Sequence, residues 1–157
     1  MAYEIERKFL LTSDIFKNEA SSKEYIVQAF LNLHPERSVR IRIKDTKAFL
    51  TVKGISNEEG TIRREWEYPI PLKDAQEMLK ICEPGAIEKW RYYIKAGKHT
   101  FEVDVFEGEN QGLVVAEVEL NYEEEEFLKP AWLGEEVTGN KAYYNSSLSQ
   151  KPFNTWK

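Results

Sequence analysis

The segment Glu4-Ile5-Glu6-Arg7-Lys8 places two carboxylates and an ammonium group at every second position. In a β-strand, alternate side chains share one face, so Glu4, Glu6 and Lys8 would point to the same side. Side chains two residues apart lie roughly 7 Å from each other, and two carboxylates at that distance repel unless a positive charge lies between them. The segment therefore predicts a strand whose charged face binds a cation beside an anion.

The same alternation recurs in six later segments, each with one apolar face and one charged face. These segments are VRIRI, LTVK, IRREWEY, EKWRYYI, FEVDVF and VVAEVEL. The second predicted strand, YIVQAFL, differs because Gln28 stands between Ile26 and Phe30. The basic members of the charged faces are Lys8, Arg40, Arg42, Lys53, Arg63, Lys89 and Arg91. The acidic members are Glu4, Glu6, Glu65, Glu67, Glu102, Asp104, Glu117 and Glu119.

The two signs are segregated, as in the neighbours Arg40 and Arg42 or Glu102 and Asp104. Like charges that are adjacent on one strand face are unfavourable by themselves. An antiparallel sheet with one solvated face explains the alternation, but it gives no reason to collect charges of one sign. The pattern instead favours an enclosed space that holds an anion and a cation together.

The residue types indicate which anion and which cation. Arginine forks and lysine ammonium groups are the usual ligands of phosphate oxygens, and so many of them suit a polyanion. Carboxylates without histidine or cysteine favour hard cations, here Mg²⁺ or Mn²⁺. A closed barrel of eight strands has room for side chains and one small ligand. The charged faces therefore predict a metal-bridged oligophosphate site, with Glu4 and Glu6 on the metal and Lys8 on a phosphate.

Periodicity and turn residues predict the elements that must position this face. The predicted strands are 3–10, 25–32, 37–44, 48–53, 61–69, 88–95, 99–106 and 113–121. The predicted helices are 13–23 and 72–82, a mostly helical tail from 123 that is broken near Pro130 and Gly134, and a last short helix at 140–148. Eight mostly antiparallel strands with few helices predict a closed barrel or a sandwich.

Length and composition set the remaining bounds. A chain of 157 residues predicts one domain over 1–157. The net charge of -5 argues against nucleic-acid binding, which usually comes with a basic excess. A single cysteine, Cys82, excludes an internal disulfide. We expect no signal peptide and no membrane span, and hence a cytoplasmic protein. The sequence leaves the oligomeric state, including a homodimer, open.

The ordered set of segments resembles the CYTH superfamily, the triphosphate tunnel metalloenzymes, and in particular its small bacterial stand-alone members. The family signature E-x-E-x-K corresponds to Glu4-Ile5-Glu6-Arg7-Lys8, and the tail WLGEEVTGNKAYYNSSL is similar to that of the small members. The resemblance implies an α+β but mainly β fold. It implies an eight-stranded antiparallel tunnel with helices packed outside and a C-terminal helix near one end. It also implies action on triphosphates with Mg²⁺ or Mn²⁺.

The resemblance further implies a role for each matching position. The implied metal ligands are Glu4, Glu6, Asp104, Glu117 and Glu119. The implied phosphate ligands are Lys8, Arg40, Arg42, Lys53, Arg63, Lys89, Arg91 and Lys141, the last closing one tunnel end. The implied catalytic residues are Glu65 and Glu67, which place a metal or the attacking water, together with Lys8. Two segments depart from the family pattern: Gln28-Ala29-Phe30-Leu31 replaces Q-G-Y-L, and Thr138-Gly139-Asn140 replaces T-G-D.

Three functions fit these residues. The leading one is metal-dependent hydrolysis of a small-molecule triphosphate, with inorganic tripolyphosphate preferred because no recognition element for an organic headgroup is visible. The second keeps the site but changes the chemistry to that of a class IV-like adenylyl cyclase or a thiamine or nucleoside triphosphatase. The third is a polyphosphate-binding module without turnover, which would need far fewer carboxylates than the sequence carries.

Overall fold

Eight antiparallel strands form a closed barrel, and a ninth short strand is added to it. The structure, a computed structural model, describes residues 3–156. The strands are β1 (Tyr3–Leu11), β2 (Ser22–Asn32), β3 (Arg37–Lys44), β4 (Lys47–Ser56), β5 (Ile62–Ile70), β6 (Ile87–Ala96), β7 (His99–Phe106), β8 (Val114–Glu119) and β9 (Leu133–Glu136). The α-helices are α1 (Phe16–Glu19), α2 (Leu72–Leu79) and α3 (Asn145–Gln150). The mainly β, α+β fold predicted from the sequence is confirmed.

The strand order is β5-β4-β3-β2-β6-β7-β8-β1, and β1 pairs back onto β5 to close the barrel. β1 is the closing strand because its first residues pair with β5, its middle with β8 and its end with β9. The register sets Glu4 opposite Arg63, Glu6 opposite Glu119, and Lys8 opposite Glu117. Strand closure therefore brings charges that are far apart in the sequence into one ring.

Two apolar cores lie outside the barrel wall. The outward side chains of β1, β6, β7 and β8, including Phe101 and Val118, pack with Phe16 and Trp132 from the connecting segments. On the opposite side, α2 packs Ala75 against the outer faces of β3 and β4. Helix α2 begins directly after Pro71, which is preorganised for the start of a helix. Because the apolar residues turn outward to these cores, the alternating charged residues must turn inward.

The barrel interior is apolar at the end covered by α3. Ile87, Phe106 and Val115 lie on the inner faces of β6, β7 and β8, and they pack against Leu148 of α3. Ile87, Phe106 and Leu148 are almost completely buried. These side chains close the end of the interior that α3 covers, and the charged space begins next to them along the barrel axis. The C-terminal helix near one end of the barrel is thus as predicted.

The connecting segments differ from their predictions. The helix predicted at 13–23 is a single turn, because β2 already begins at Ser22. The tail contains the strand β9 and a 3-10 turn at Lys141–Tyr143, and its α-helix covers Asn145–Gln150. The predicted mostly helical tail is therefore wrong. No helix within residues 3–156 has the length and apolar character needed to cross a membrane.

Candidate active site

The charged faces of the strands surround a cavity of about 210 Å³ inside the barrel. Twelve of the predicted site residues line it: Glu4, Glu6, Lys8, Arg40, Arg42, Lys53, Arg63, Glu65, Glu67, Arg91, Glu117 and Glu119. Three further predicted residues lie elsewhere among the described residues: Lys89 and Asp104 are buried in the wall, and Lys141 is exposed on its 3-10 turn. The barrel therefore brings most of the predicted set together in one space.

Three buried guanidinium groups form the basic wall of the cavity. Arg40, Arg42 and Arg91 are 7%, 8% and 5% exposed. Burial and the nearby Arg40 and Arg91 lower the pKa of Arg42 to about 9. No carboxylate within residues 3–156 lies within ion-pair distance of Arg42, and the buried Nε of Arg40 has no hydrogen-bond partner there. Buried donors without acceptors are costly, so this wall is prepared for an anion.

The acidic wall of the cavity has an excess of negative charge, whereas the basic wall has an excess of positive charge. Burial, together with Glu117 and Glu4, raises the pKa of Glu6 well above its usual value. Burial and Glu4 also raise the pKa of Glu119, which faces Glu6 across the β1–β8 pair. Within the described part of the chain, neither Glu6 nor Glu119 has a cation within ion-pair distance. Carboxylates that crowd together without a counter-charge favour a bound cation.

Glu117 belongs to the same wall but is already paired. Its carboxylate lies 3.2 Å from Lys8 Nζ and 3.8 Å from Arg91 Nη2. Burial alone would raise its pKa, but Lys8 and the neighbouring cations lower it to about 2. Lys8 also stands 5.2 Å from the centre of the Tyr144 ring. Glu117 therefore stays ionised and holds the Lys8 ammonium at the cavity wall.

Glu65 and Glu67 of β5 are held by residues of β4. Lys53 Nζ lies 3.6 Å from Glu65 and donates to both oxygens of Glu4, at 3.0 Å and 3.3 Å. Burial and Glu4 nevertheless raise the pKa of Glu65. On the neighbouring position, the Thr51 hydroxyl donates to Glu67 at 2.8 Å. Both carboxylates thus line the cavity.

Asp104 is enclosed by cations. Its Oδ1 accepts from Arg91 Nε at 2.7 Å, and its Oδ2 accepts from Arg91 Nη2 at 2.9 Å and from Lys89 Nζ at 2.7 Å. Although burial opposes it, Arg91 and Lys89 hold the pKa of Asp104 well below its usual range. The carboxylate therefore uses both oxygens to position two cations.

Arg63 lines the opposite end of the cavity and is tied to backbone carbonyls. Its Nε donates to the carbonyl oxygen of Gly54 at 2.7 Å, and its Nη2 donates to that of Pro35 at 3.0 Å. Next to it, Gly60 and Gly139 touch so closely that a Cβ on Gly60 would lie 2.3 Å from the Cα of Gly139. Gly60 and Gly139 both line the cavity, so the 57–60 turn and the C-terminal segment meet at its wall.

Sequence reasoning missed the polar residues that link the charged ones. Gln28 accepts from Arg42 Nε at 2.8 Å and donates to Asn145 at 3.0 Å. Tyr144 and Asn145 line the cavity from the C-terminal segment. The inward direction of Gln28 could have been predicted, because it lies on the same face of β2 as Ile26. It was missed because the site was predicted from charged residues, and Gln28 is uncharged. Nothing in the local pattern placed Asn145 beside β2.

The carboxylates fit a hard divalent cation that is bound together with phosphate. Among residues 3–156, no three His, Cys, Asp or Glu side chains converge as a ready-made metal site. A small hard cation such as Mg²⁺ usually takes only one or two protein carboxylates and completes its shell with water and substrate phosphates. Glu6 and Glu119 are crowded and have no cationic partner in the described part of the chain, so they are suited to such a shared site. A metal cage built by the protein alone does not fit.

The barrel encloses Arg42, which has no carboxylate partner within residues 3–156, opposite Glu6 and Glu119, which have no cationic partner there. Such a cavity defines a site for a polyanion and a hard cation, and comparison with known proteins identifies the family. The CYTH domain model matches residues 2–152. An inorganic triphosphatase of Acetivibrio thermocellus is 44% identical over 158 residues, which cover 100% of this chain and 99% of that protein. An inorganic triphosphatase of Nitrosomonas europaea is 34% identical over 151 residues, covering 93% and 96%.

A solved structure shows the same relationship. The crystal structure of an inorganic triphosphatase superposes with a TM-score of 0.66 at 33% identity, covering 93% of this chain and 97% of that one. The chain belongs to the CYTH family.

Proposed function

We propose that this protein is a metal-dependent inorganic triphosphatase that hydrolyses tripolyphosphate to pyrophosphate and phosphate. The observation that carries the proposal is the double imbalance in one cavity: Arg42 lacks an anionic partner within residues 3–156, and Glu6 lacks a cationic one there. A triphosphate with a bound divalent cation supplies both. The two relatives named as inorganic triphosphatases support the same substrate.

In this proposal the basic wall binds the three phosphoryl groups. Arg40, Arg42 and Arg91 offer planar donor forks that suit phosphate oxygens, and Lys8 and Lys53 offer single ammonium groups. Because these groups are largely buried, their attraction for phosphate is stronger than it would be in water. Lys89 and Arg63 support the wall from its two ends. Lys141 is exposed, and we assign it at most an electrostatic role at the rim.

The carboxylates divide into two roles. Glu6 and Glu119, with Glu4 and Glu117 beside them, would hold Mg²⁺ or Mn²⁺, which when bound neutralises phosphate charge as it builds up during transfer. Asp104, whose oxygens already accept from Lys89 and Arg91, acts as their anchor in this proposal rather than as a metal ligand.

Glu65 and Glu67 orient the attacking water. The water oxygen forms a bond to the terminal phosphorus, its proton passes to a carboxylate, and the bond from that phosphorus to the bridging oxygen breaks. Pyrophosphate leaves with the bonding electron pair. Glu65 suits the proton because burial and Glu4 raise its pKa. Lys8 stabilises the charge on the leaving group. Such transfer depends mainly on positioning and charge neutralisation, which this cavity provides.

The test is phosphate release from tripolyphosphate, ATP and thiamine triphosphate, each with Mg²⁺, Mn²⁺ or EDTA. We expect rapid release from tripolyphosphate that EDTA abolishes, and much slower release from the other two. The variant Arg42→Ala should lose most of this activity, whereas Arg37→Ala, on the exposed part of the same strand, should keep it. Cyclic AMP from ATP without release from tripolyphosphate would replace the proposal with a cyclase. Tight binding without any product would replace it with a binding module.

The remaining predictions from the sequence concern the surroundings of the site. A cytoplasmic location, the absence of nucleic-acid and membrane partners, and a homodimer remain predictions. The exposure of Lys141 and the apolar end covered by α3 are features of one copy of the chain, and they do not bear on a homodimer.

A further inference from the structure

Asn145, the first residue of α3, reaches into the barrel and touches two residues of its wall. Its Oδ1 accepts from Gln28 Nε2 at 3.0 Å and from Lys89 Nζ at 3.0 Å. Gln28 in turn accepts from Arg42 Nε at 2.8 Å. One side-chain oxygen of the C-terminal segment is therefore connected to a buried lysine and, through one amide, to a buried arginine of the phosphate wall.

The direction of every hydrogen bond in this chain follows from the two cations at its ends. Arg42 can only donate, so Gln28 must present its oxygen to Arg42 and its amide nitrogen to Asn145. The Gln28 nitrogen donates to Asn145, and so does the Lys89 ammonium, so the atom of Asn145 between them must be the oxygen. A side chain without an acceptor at position 145 would leave the Gln28 amide nitrogen and one N–H of Lys89 without an acceptor.

The same contacts fix where the cations point. Lys89 is held between Asp104 Oδ2 at 2.7 Å and Asn145 Oδ1 at 3.0 Å, and it is 0% exposed. Arg42 lines the cavity, and with its Nε held by Gln28 it presents its two Nη nitrogens to a ligand. Asn145 thus influences the cavity through its neighbours as well as by its own position in the lining.

The C-terminal segment holds Asn145 in place by contacts that are separate from this chain of hydrogen bonds. Leu148 is 1% exposed and packs against Ile87 and Phe106. The Ser149 hydroxyl donates to the carbonyl oxygen of Gly85 at 2.8 Å. Docking of α3 and orientation of the cations can therefore be changed independently.

We propose that Asn145 is a positioning residue of the triphosphate site, which orients Arg42 through Gln28 and Lys89 directly. The inference rests on the proposed function for its kinetic readout, but the geometry that carries it is the shared acceptor oxygen. The C-terminal segment then contributes to phosphate binding as well as to closure of the barrel.

The experiment compares Asn145→Ala, Asn145→Asp, Gln28→Ala, the Gln28→Ala/Asn145→Ala double variant and Ser149→Ala. We expect Asn145→Ala and Gln28→Ala each to lower kcat/KM for tripolyphosphate roughly 10- to 100-fold, as for other residues that orient a ligand-binding group. The kcat/KM of the double variant should be little lower than that of the less active single variant, because both residues act on one chain of contacts. Asn145→Asp keeps the acceptor and should recover activity relative to Asn145→Ala. Ser149→Ala should keep full activity.

Binding of tripolyphosphate in EDTA, measured by calorimetry, separates this proposal from the proposed function. If the wild-type protein binds but releases no phosphate, the function is wrong, and a weakened Kd in Asn145→Ala that Asn145→Asp restores still supports the positioning role. Wild-type kcat/KM and Kd in Asn145→Ala would overturn it. Additive losses in the double variant, no recovery in Asn145→Asp, or an equal loss in Ser149→Ala would also overturn it.

Discussion

Asp104 and Glu6 are carboxylates inside the same barrel, but their surroundings are opposite. Asp104 accepts three hydrogen bonds from Lys89 and Arg91, and its pKa is held well below the usual range. Glu6 faces Glu119 and lies near Glu4, and its pKa is raised well above the usual range. The comparison teaches that charge in this barrel is of two kinds: one kind completes the structure, and the other is left for a ligand.

The difference arises from strand pairing. Arg91 is the direct cross-strand neighbour of Asp104, so the register of β6 and β7 supplies a counter-charge. The register of β1 and β8 sets Glu6 opposite Glu119, and so it supplies a second negative charge. The strand that closes the barrel therefore carries the unfavourable pairing, which a bound cation would relieve.

Removal of the paired carboxylate should have the largest effect on stability. We expect Asp104→Asn to lower the free energy of unfolding by about 3 kcal/mol, because it removes the counter-charge of the buried Lys89 and one counter-charge of the buried Arg91. The loss should fall at the low end of the range for buried pairs, since burial already lowers the pKa of Lys89 to about 7 and this lysine can release its proton. Urea unfolding at pH 7 measures the change. Unaltered stability would mean that the pair does not complete the structure.

Removal of the unpaired carboxylate should act on activity instead. We expect Glu6→Gln to lower metal-dependent turnover at least about 100-fold, because under the proposed function it removes a ligand of the cation. Its thermal stability should be equal to or higher than that of the wild type, because a repulsion with Glu4 and Glu117 disappears. Turnover and thermal unfolding are measured on the same samples. Glu135→Gln, an exposed position on β9, serves as the matched control. A large stability loss in Glu6→Gln would contradict the comparison.

The smallest effect on the free energy of unfolding is expected for a half-exposed ion pair on the outside of β1. Arg7 Nε donates to Glu136 at 2.6 Å, which raises the pKa of Arg7 and lowers that of Glu136. Because the folded-state pKa of Glu136 is depressed, its stabilisation is present above the unfolded value near 4.5 and is lost as the pH falls through the folded value. We expect Glu136→Gln to cost no more than about 0.5 kcal/mol at pH 7, after solvent screening, and less than that at pH 3. Paired unfolding curves at the two pH values check this difference. An equal cost at both would exclude the charge as its cause.

The barrel was predictable because alternation along a strand is a local signal. Segments such as VRIRI and FEVDVF show a period of two over five or six residues, and their structures begin and end close to the predicted residues. The inward direction of the charged faces followed from the segregation of like charges. The register that sets Glu6 opposite Glu119 depends on closure between residues more than a hundred positions apart, which no local pattern encodes.

The C-terminal segment was not predictable in the same way. Strand β9 has four residues, Leu133–Glu136, and forms because the end of β1 offers it an edge. Glu125 lies in a run of four glutamates but is buried, where it accepts from the Asn121 backbone at 2.6 Å and lies 3.0 Å from His99 Nε2. Each of these features is set by a tertiary partner, and its sequence alone resembles a solvated helix or turn.

The pairing of β1 also has a consequence for how the chain folds. β1 is synthesised before all of its partners, and its central residues wait for β8, about a hundred residues later. At roughly 5–20 residues per second, that delay is on the order of ten seconds, during which the edge of β1 that later pairs with β8 is open. Contacts between such distant segments also make folding slow. Charged side chains on an open strand discourage pairing with other chains. Glu4, Glu6 and Lys8 would thus keep the waiting strand soluble before they have any ligand to bind.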